Sequence, residues 1–250
     1  MQKQRARQGL AWGVHAFTAS GAVLGAMALL ATSDGQWPRA VLFMLAALAI
    51  DAVDGFLARS ADVKRWAPRL DGRRLDDLVD FLNYVIVPVV FLLACGLLPH
   101  WAWAVPPILA SAYGFSQVAA KTDDHFFLGF PSYWNVIAIY VWLLEVSPAF
   151  CSVFVTVCAV GVFIPFKYIY PTRMPVWRRT TCTLALLCVL ALTYAVLAPE
   201  RARALQLVEV SLLFPAWYLL LSFRLGGMHK KSLGGMHKKS SGGMHRKKEA

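Results

Sequence analysis

Residues 39–59 read RAVLFMLAALAIDAVDGFLAR, and residues 75–98 read LDDLVDFLNYVIVPVVFLLACGLL. Each run supplies about the 20 apolar residues that a helix needs to cross the hydrocarbon core of a bilayer. Each run also carries aspartates, although an acidic side chain inside a membrane is costly unless it is paired or functional. The two runs therefore predict membrane-spanning helices that bear a functional site.

The rest of the chain has the same apolar character. Its 250 residues are 58% hydrophobic and 16% charged, and the mean hydropathy is +0.53. A water-soluble domain of this size cannot bury so much apolar surface. Disordered chains have a much lower content of hydrophobic residues, so disorder is excluded as well. The five cysteines are spread through apolar runs, which excludes a disulfide scaffold. We predict an all-α integral membrane protein, a polytopic helical bundle.

About eight spans can be marked along the chain. The fifth is the weakest because Glu145 and Pro148 crowd its end, so six or seven spans remain as alternatives. The predicted spans are 10–31, 39–59, 75–98, 101–120, 132–146, 148–168, 180–198 and 205–223.

The basic residues predict the orientation of these spans. With the amino terminus inside, 22 of the 25 Lys and Arg residues fall on the cytoplasmic side, and only Arg39, Arg201 and Arg203 fall outside. Short cytoplasmic loops accumulate such residues. We therefore expect both termini in the cytoplasm and no nucleic-acid partner for the basic residues.

Residues 226–250 form a separate segment, predicted as a disordered basic tail behind a membrane domain of residues 1–225. The tail repeats GGMHKKSL, GGMHKKSS and GGMHRKKE, a composition that cannot build a core. Its expected partner is anionic lipid, and capture of a transition metal by His229, His237 and His245 is the alternative.

The predicted site lies where the second and third spans meet the cytoplasmic face. Asp51 and Asp54 are three residues apart, and Asp76 and Asp80 are four apart, so each pair shares one helix face. Asp51 and Asp80 each lie about 12 Å from the cytoplasmic end of their helix. Four converging carboxylates require cations, and oxygen ligands favour Mg²⁺ or Mn²⁺.

These residues also carry a family resemblance. The patterns DxxDGxxAR (Asp51, Asp54, Gly55, Ala58, Arg59) and GxxxDxxxD (Gly72, Asp76, Asp80) resemble the signature of the CDP-alcohol phosphotransferase family. The loop between them, residues 60–71, is longer than is usual in the family. That loop, HAFTASG at 15–21 and KTDDHFFLGFPSYWN at 121–135 are similar to the bacterial phosphatidylcholine synthase branch, and the likeness covers about residues 10–223.

The resemblance implies an enzyme of the bacterial inner membrane, with its active site facing the cytoplasm, that transfers the phosphatidyl group of CDP-diacylglycerol to choline and releases CMP. It implies a homodimer among membrane lipids and two divalent ions held by Asp51, Asp54, Asp76 and Asp80, with Asp80 also as general base. It further implies a pocket for the nucleotide and its phosphates, formed by Thr18, Asp54, Gly55, Ala58, Arg59 and Gly72. The chain departs from the family pattern at His15, where many members have Asn.

The acceptor site is predicted from the chemistry of choline. Aromatic faces attract a quaternary ammonium, and Tyr84, Tyr133 and Trp134 are the main candidates, followed by Phe126 and Phe127. An interfacial aromatic belt is the alternative reading of these residues. Asp123 and Asp124 are candidates for an anionic wall, and His125 is read as a loop residue. Arg173, Arg178 and Arg179 are candidates for lipid phosphates, and positive-inside bias also accounts for them.

Two alternative functions stay open. One is a related phosphotransferase that uses serine, inositol or glycerol phosphate. The other is an ion-coupled membrane transporter, because intramembrane carboxylates also mark ion pathways. Against the transporter, the acids cluster on two adjacent helices and no inverted repeat is evident.

Overall fold

A computed structural model describes residues 2–118, 122, 124, 126–174 and 176–227. These residues are almost entirely helical, which agrees with the predicted fold class. The helices are α1 Gln2–Ser33, α2 Trp37–Ser60, α3 Val63–Trp66, α4 Gly72–Phe81, α5 Val87–Ala94, α6 Val105–Ser116, α7 Trp134–Leu143, α8 Pro148–Gly161, α9 Arg178–Leu197, α10 Pro199–Ala204, α11 Leu207–Ser211 and α12 Leu213–Leu221. Leu82–Ile86 and Ser222–Gly226 are π-helical, Trp101–Ala104 is a 3₁₀ turn, and the strands are β1 Phe126–Leu128 and β2 Lys167–Ile169. All of the predicted tail except Gly226 and Gly227 lies outside the described residues.

Five helical segments within the described part of the chain are long and apolar enough to cross a membrane. Their outer faces carry large apolar side chains, such as Leu186, Leu187 and Leu190 on α9, each more than half exposed. A water-soluble protein would bury such rows, whereas lipid tails solvate them. The five segments are Gln2–Ser33, Trp37–Ser60, Gly72–Ala94, Arg178–Leu197 and Leu207–Gly226. The chain is therefore a polytopic membrane protein.

The middle of the chain has shorter helices than the sequence predicts. The predicted fifth and sixth spans correspond to α7 and α8, which have 10 and 14 residues. A turn at Glu145, where φ is +51°, separates them. The predicted sixth span extends to residue 168, but α8 ends at Gly161 because Pro165 has no backbone N–H to donate and disfavours a helical conformation at Ile164.

Helix α1 packs closely against α2 and against the segment formed by α4, the π-helical turn and α5. A side chain at Gly21 would place its Cβ 2.9 Å from Val79 Cγ1, and one at Gly25 would place it 2.5 Å from Asn83 Oδ1. Small residues let membrane helices approach in this way, since packing and hydrogen bonds drive their association. This contact brings the amino-terminal half of α1 alongside the aspartates of α2 and α4.

A two-stranded ribbon lies next to the aspartates. β1 and β2 are antiparallel, with Phe127 opposite Tyr168. The end of the last helix holds the ribbon: the Lys167 N–H donates to Gly227 O at 3.0 Å, and the Ile169 N–H donates to Ser222 Oγ at 3.2 Å. The ribbon thus carries residues from two distant loops to one place.

Candidate active site

Asp51 and Asp54 lie in the carboxyl-terminal part of α2, which ends at Ser60. Asp54 is only 5% exposed, whereas Asp51 is partly exposed. The side chain of Thr18 on α1 lies against the Asp54 carboxylate. The two aspartates of this helix therefore have different surroundings although they are less than one turn apart.

Asp76 and Asp80 lie on α4, whose start is defined by local hydrogen bonds. The Asp71 side chain accepts hydrogen bonds from the Arg73 and Arg74 N–H groups, at 3.0 and 3.3 Å, and so caps the helix. The capped helix places Asp76 and Asp80 one turn apart on one face.

The structure brings three of the four predicted metal ligands together. One oxygen each from Asp51, Asp76 and Asp80 lies within 4.8 Å of the other two. All three donors are carboxylates, the ligands that Mg²⁺ and Mn²⁺ prefer, so the donor set fits the predicted ions. Asp54 stands outside this triad, three residues along α2 on the side that faces Thr18.

The residues predicted to bind the nucleotide gather on the Asp54 side. A Cβ at Gly72 would lie 2.9 Å from His15 Cε1, so the absence of a side chain there makes room for the imidazole. Gly55 and Ala58 are half-buried on α2, and the exposed Arg59 follows them. His15 itself is buried, and among the described residues its Nε2 has no hydrogen-bond partner. A buried nitrogen of this kind fits a site that is completed by a polar ligand.

A recess of about 180 Å³ opens beside the aspartate triad. This volume is below the usual range for sites that enclose whole cofactors, so it suits a small headgroup. The residues that line the recess are Asp51, Asp76, Asp77, Asp80, Tyr84, Gly114, Phe115, Phe127, Leu128, Gly129, Phe130, Pro131, Ser132, Tyr133 and Tyr170.

Aromatic rings form much of the wall of the recess. The Tyr84 and Tyr133 ring centroids are 6.0 Å apart, and the Tyr84 hydroxyl donates a hydrogen bond to Asp51 Oδ2 at 2.5 Å. Phe127 on β1 packs against Tyr170, with the rings tilted by 35° and their centroids 4.7 Å apart. Anionic oxygens and aromatic faces therefore border the same small space.

Two of the aromatic candidates lie elsewhere. Trp134 does not line the recess; it is fully buried in the core, and its Nε1–H donates to Ser111 Oγ at 2.6 Å. Trp134 therefore does not border the recess with Tyr84 and Tyr133. The Phe126 ring also points away from the recess and lies 5.5 Å from Lys167 Nζ. The alternation of side chains along β1 accounts for the opposite placement of Phe126 and Phe127.

Tyr170, which follows β2, also borders the recess but was not among the residues predicted from the sequence. The signal for it is the aromatic cluster FKYIY at 166–170, which contains Lys167 and precedes Arg173. Arg173 lies above this ring, with Cζ 5.7 Å from the centroid of Tyr170. Arg178 and Arg179 begin α9, are exposed and do not line the recess.

The loop before β1 is described only in part. Lys121, Asp123 and His125 lie outside the described residues. Asp124 Oδ2 is 2.6 Å from Lys167 Nζ, and this contact lowers the pKa of Asp124. Asp124, one of the two candidates for an anionic wall, thus forms an ion pair with Lys167.

Comparisons with known proteins agree with this geometry. A family model described as CDP-alcohol phosphatidyltransferase matches residues 15–166. A phosphatidylcholine synthase of Legionella pneumophila is 41% identical over 226 residues, which cover 85% of this chain and 87% of the relative. The phosphatidylcholine synthase of Borreliella burgdorferi is 32% identical over 85% of this chain and 92% of its own length, and that of Legionella bozemanae is 35% identical over 81% and 97%.

Proposed function

The chain belongs to the CDP-alcohol phosphatidyltransferase family, and on that premise we propose that it is a phosphatidylcholine synthase. The reaction transfers the phosphatidyl group of CDP-diacylglycerol to choline and releases CMP. The observation that carries the proposal is the aromatic recess beside three convergent carboxylates, Asp51, Asp76 and Asp80. A transporter does not require a small headgroup site at the edge of such a cluster.

Asp51, Asp76 and Asp80 would hold divalent ions, and we propose Asp54 as a further ligand from the adjacent turn of α2. This set needs no other type of donor, since Mn²⁺ and Mg²⁺ bind well to carboxylate oxygens. When bound, two such ions neutralise the pyrophosphate and stabilise charge on the entering and leaving oxygens. The requirement for cations also explains how a chain can keep these acids close together near the membrane.

The chain's own residues then orient choline and accept its proton. The faces of Tyr133 and Tyr84, together with Phe127 and Tyr170, attract the trimethylammonium group, each desolvated contact contributing about 1–2 kcal/mol. Asp80 accepts the hydroxyl proton as the choline oxygen attacks the phosphorus that carries diacylglycerol. The bond between that phosphorus and the CMP oxygen breaks, so CMP leaves in a single displacement.

The nucleotide occupies the other side of the triad in this proposal. Thr18, Asp54, Gly55, Ala58, Arg59 and Gly72 form its pocket, as the family pattern implies. The Nε2 of the buried His15, which has no hydrogen-bond partner in the described part of the chain, supports a polar ligand here. The Arg59 guanidinium suits phosphate oxygens because its fork can contact two of them at once.

We further propose that the protein spans the bacterial inner membrane eight times, with both termini and the recess on the cytoplasmic side, and that it forms a homodimer. The distribution of basic residues supports this orientation. Arg173, Arg178 and Arg179 then lie at the cytoplasmic face, where lipid phosphates are available. Reaction of single cysteines with impermeant reagents, on intact and opened cells, tests the orientation.

Incorporation of labelled choline tests the activity. The purified full chain in lipid nanodiscs, with CDP-diacylglycerol and Mn²⁺, is expected to form phosphatidylcholine and equimolar CMP. Asp80→Asn should abolish both products. The matched control is Asp62→Asn, an exposed loop residue at φ +47°, a conformation that Asn also adopts readily.

Each alternative function has its own outcome in this assay. Product with serine, inositol or glycerol phosphate but not with choline would contradict the choline assignment and keep the family chemistry. Choline flux into proteoliposomes without CMP release, retained in Asp80→Asn, would favour the transporter and overturn the enzyme.

A further inference from the structure

Tyr84 lies in the π-helical turn Leu82–Ile86, directly after the helix that carries Asp76 and Asp80. In this turn the Val87 N–H donates to Leu82 O, five residues earlier. Such single π-turns are rare and occur frequently at functional sites. Metal binding by the aspartates does not by itself require such a turn, so the turn points to a further role for the residues in it.

The side chain of Asn83 makes two hydrogen bonds at this turn. Its Nδ2 donates to Val79 O at 3.1 Å, the carbonyl that the N–H of residue 83 would contact in a regular α-helix. The same Nδ2 donates to Gly21 O on α1 at 3.0 Å. Asn83 thus fastens the turn to a neighbouring helix and fixes the position of Tyr84.

The turn places the Tyr84 hydroxyl against a carboxylate of another helix. Tyr84 is 6% exposed, and its hydroxyl donates to Asp51 Oδ2 at 2.5 Å. Asp51 belongs to α2, whereas the other two members of the triad belong to α4. This hydrogen bond links the two helices at the point where their carboxylates repel one another.

We propose that Tyr84 is a positioning residue whose hydroxyl holds Asp51 toward Asp76 and Asp80 and so determines the affinity of the triad for Mn²⁺ or Mg²⁺. The proposal rests on the metal site of the proposed function. Partners that hydrogen-bond to a metal ligand fix its orientation, and their loss typically costs about 10–100-fold in metal affinity. The role differs from that predicted from the sequence, in which Tyr84 contributes only its ring to choline.

The hydroxyl and the ring can be separated by one substitution. Tyr84→Phe keeps the aromatic face toward the recess and removes only the donor to Asp51. If Tyr84 acts through its hydroxyl, Tyr84→Phe should weaken metal binding. If it acts through its ring alone, the variant should bind metal as the wild type does.

Tyr140→Phe is the matched control. Tyr140 is also 6% exposed, and its hydroxyl also has a buried partner, Ser211 Oγ at 2.8 Å. It lies on α7 and does not line the recess. Tyr140→Phe therefore also removes a buried tyrosine hydroxyl, but it leaves the triad unchanged.

Direct Mn²⁺ binding, measured by electron paramagnetic resonance on the full chain in nanodiscs, is the decisive measurement. Tyr84→Phe should raise the Kd for Mn²⁺ about 10–100-fold, with the KM for choline at saturating Mn²⁺ unchanged, and Tyr140→Phe should bind as the wild type does. In an Asp51→Ala background, Tyr84→Phe should have no further effect, because its action passes through Asp51.

Three results would overturn the inference. Wild-type Mn²⁺ affinity in Tyr84→Phe refutes the role of the hydroxyl while leaving the proposed function intact. An additive effect of Tyr84→Phe in the Asp51→Ala background shows that Tyr84 does not act through Asp51. A wild-type protein that binds no Mn²⁺ refutes the metal site itself, and the inference falls with it.

Discussion

Replacing Gly25 of α1 by alanine tests the close packing that positions the site. Gly25 is buried, and an alanine Cβ there would lie 2.5 Å from Asn83 Oδ1 and 3.2 Å from Leu82 Cδ2. Asn83 cannot easily turn away, because its amide nitrogen is held by Gly21 O and Val79 O. The added methyl group must therefore push α1 away from the π-helical turn.

The size of the effect follows from two opposing contributions. Overpacking a tight contact costs about 1–3 kcal/mol. Alanine is favoured over glycine within a helix by about 0.5–1 kcal/mol. The net result for Gly25→Ala is a loss of about 1 kcal/mol, within limits of about 0–2.5 kcal/mol, which corresponds to a melting temperature lower by up to about 10 °C for a chain of this size.

Gly13→Ala is the control on the same helix. Gly13 is exposed, and a Cβ there would meet no atom of the described residues within 4 Å. Only the preference for alanine over glycine within a helix remains, so Gly13→Ala should raise the free energy of unfolding by about 0.5–1 kcal/mol. Thermal unfolding of both variants in nanodiscs is the assay, and the two shifts should have opposite signs. Equal or greater stability of Gly25→Ala relative to Gly13→Ala would refute the packing argument.

Three further substitutions or treatments probe the recess and its surroundings. Tyr170→Ala should raise the KM for choline about 5–30-fold, the equivalent of a contact of about 1–2 kcal/mol, with the KM for CDP-diacylglycerol unchanged; an unchanged choline KM in steady-state assays would remove Tyr170 from the site. An alanine Cβ at position 226 would lie 2.2 Å from Lys167 O, so Gly226→Ala should displace the ribbon and lower activity. Full activity of this variant in the choline assay would contradict this expectation, because it would show that the ribbon tolerates the shift. Chelation of divalent ions should abolish phosphatidylcholine formation, and added Mn²⁺ should restore it while the circular dichroism spectrum stays helical; activity that survives exhaustive chelation would contradict the metal requirement.

The aspartate spacing allowed much of the site to be predicted. Pairs at three and four residues share a helix face in any α-helix, so Asp76 and Asp80 were certain to point the same way. The spacing within a helix says nothing about its rotation against its neighbour. Asp51 joins the α4 pair, whereas Asp54 stands against Thr18, because α1 packs on that side of α2.

The aromatic residues show the limit of prediction from composition. Tyr133 and Trp134 are adjacent in the sequence and equally suited to bind a quaternary ammonium. Tyr133 opens onto the recess, whereas Trp134 begins α7 and turns its ring into the core beside Ser111. Tyr170 reaches the same recess because β2 pairs with β1. Neither placement follows from local sequence, since both depend on contacts between distant segments.

The sequence by itself determined the membrane location, the helical class and the oxygen-rich chemistry of the site. Those properties depend on hydropathy, on helical periodicity and on the ligand preferences of carboxylates, all of which act locally. Only the tertiary structure decided which carboxylates meet and that the hydroxyl of Tyr84 reaches Asp51, 33 residues away. The physical reason is that the rotation of each helix is set by its packing against the others, here by the small residues of α1 and by the side chain of Asn83.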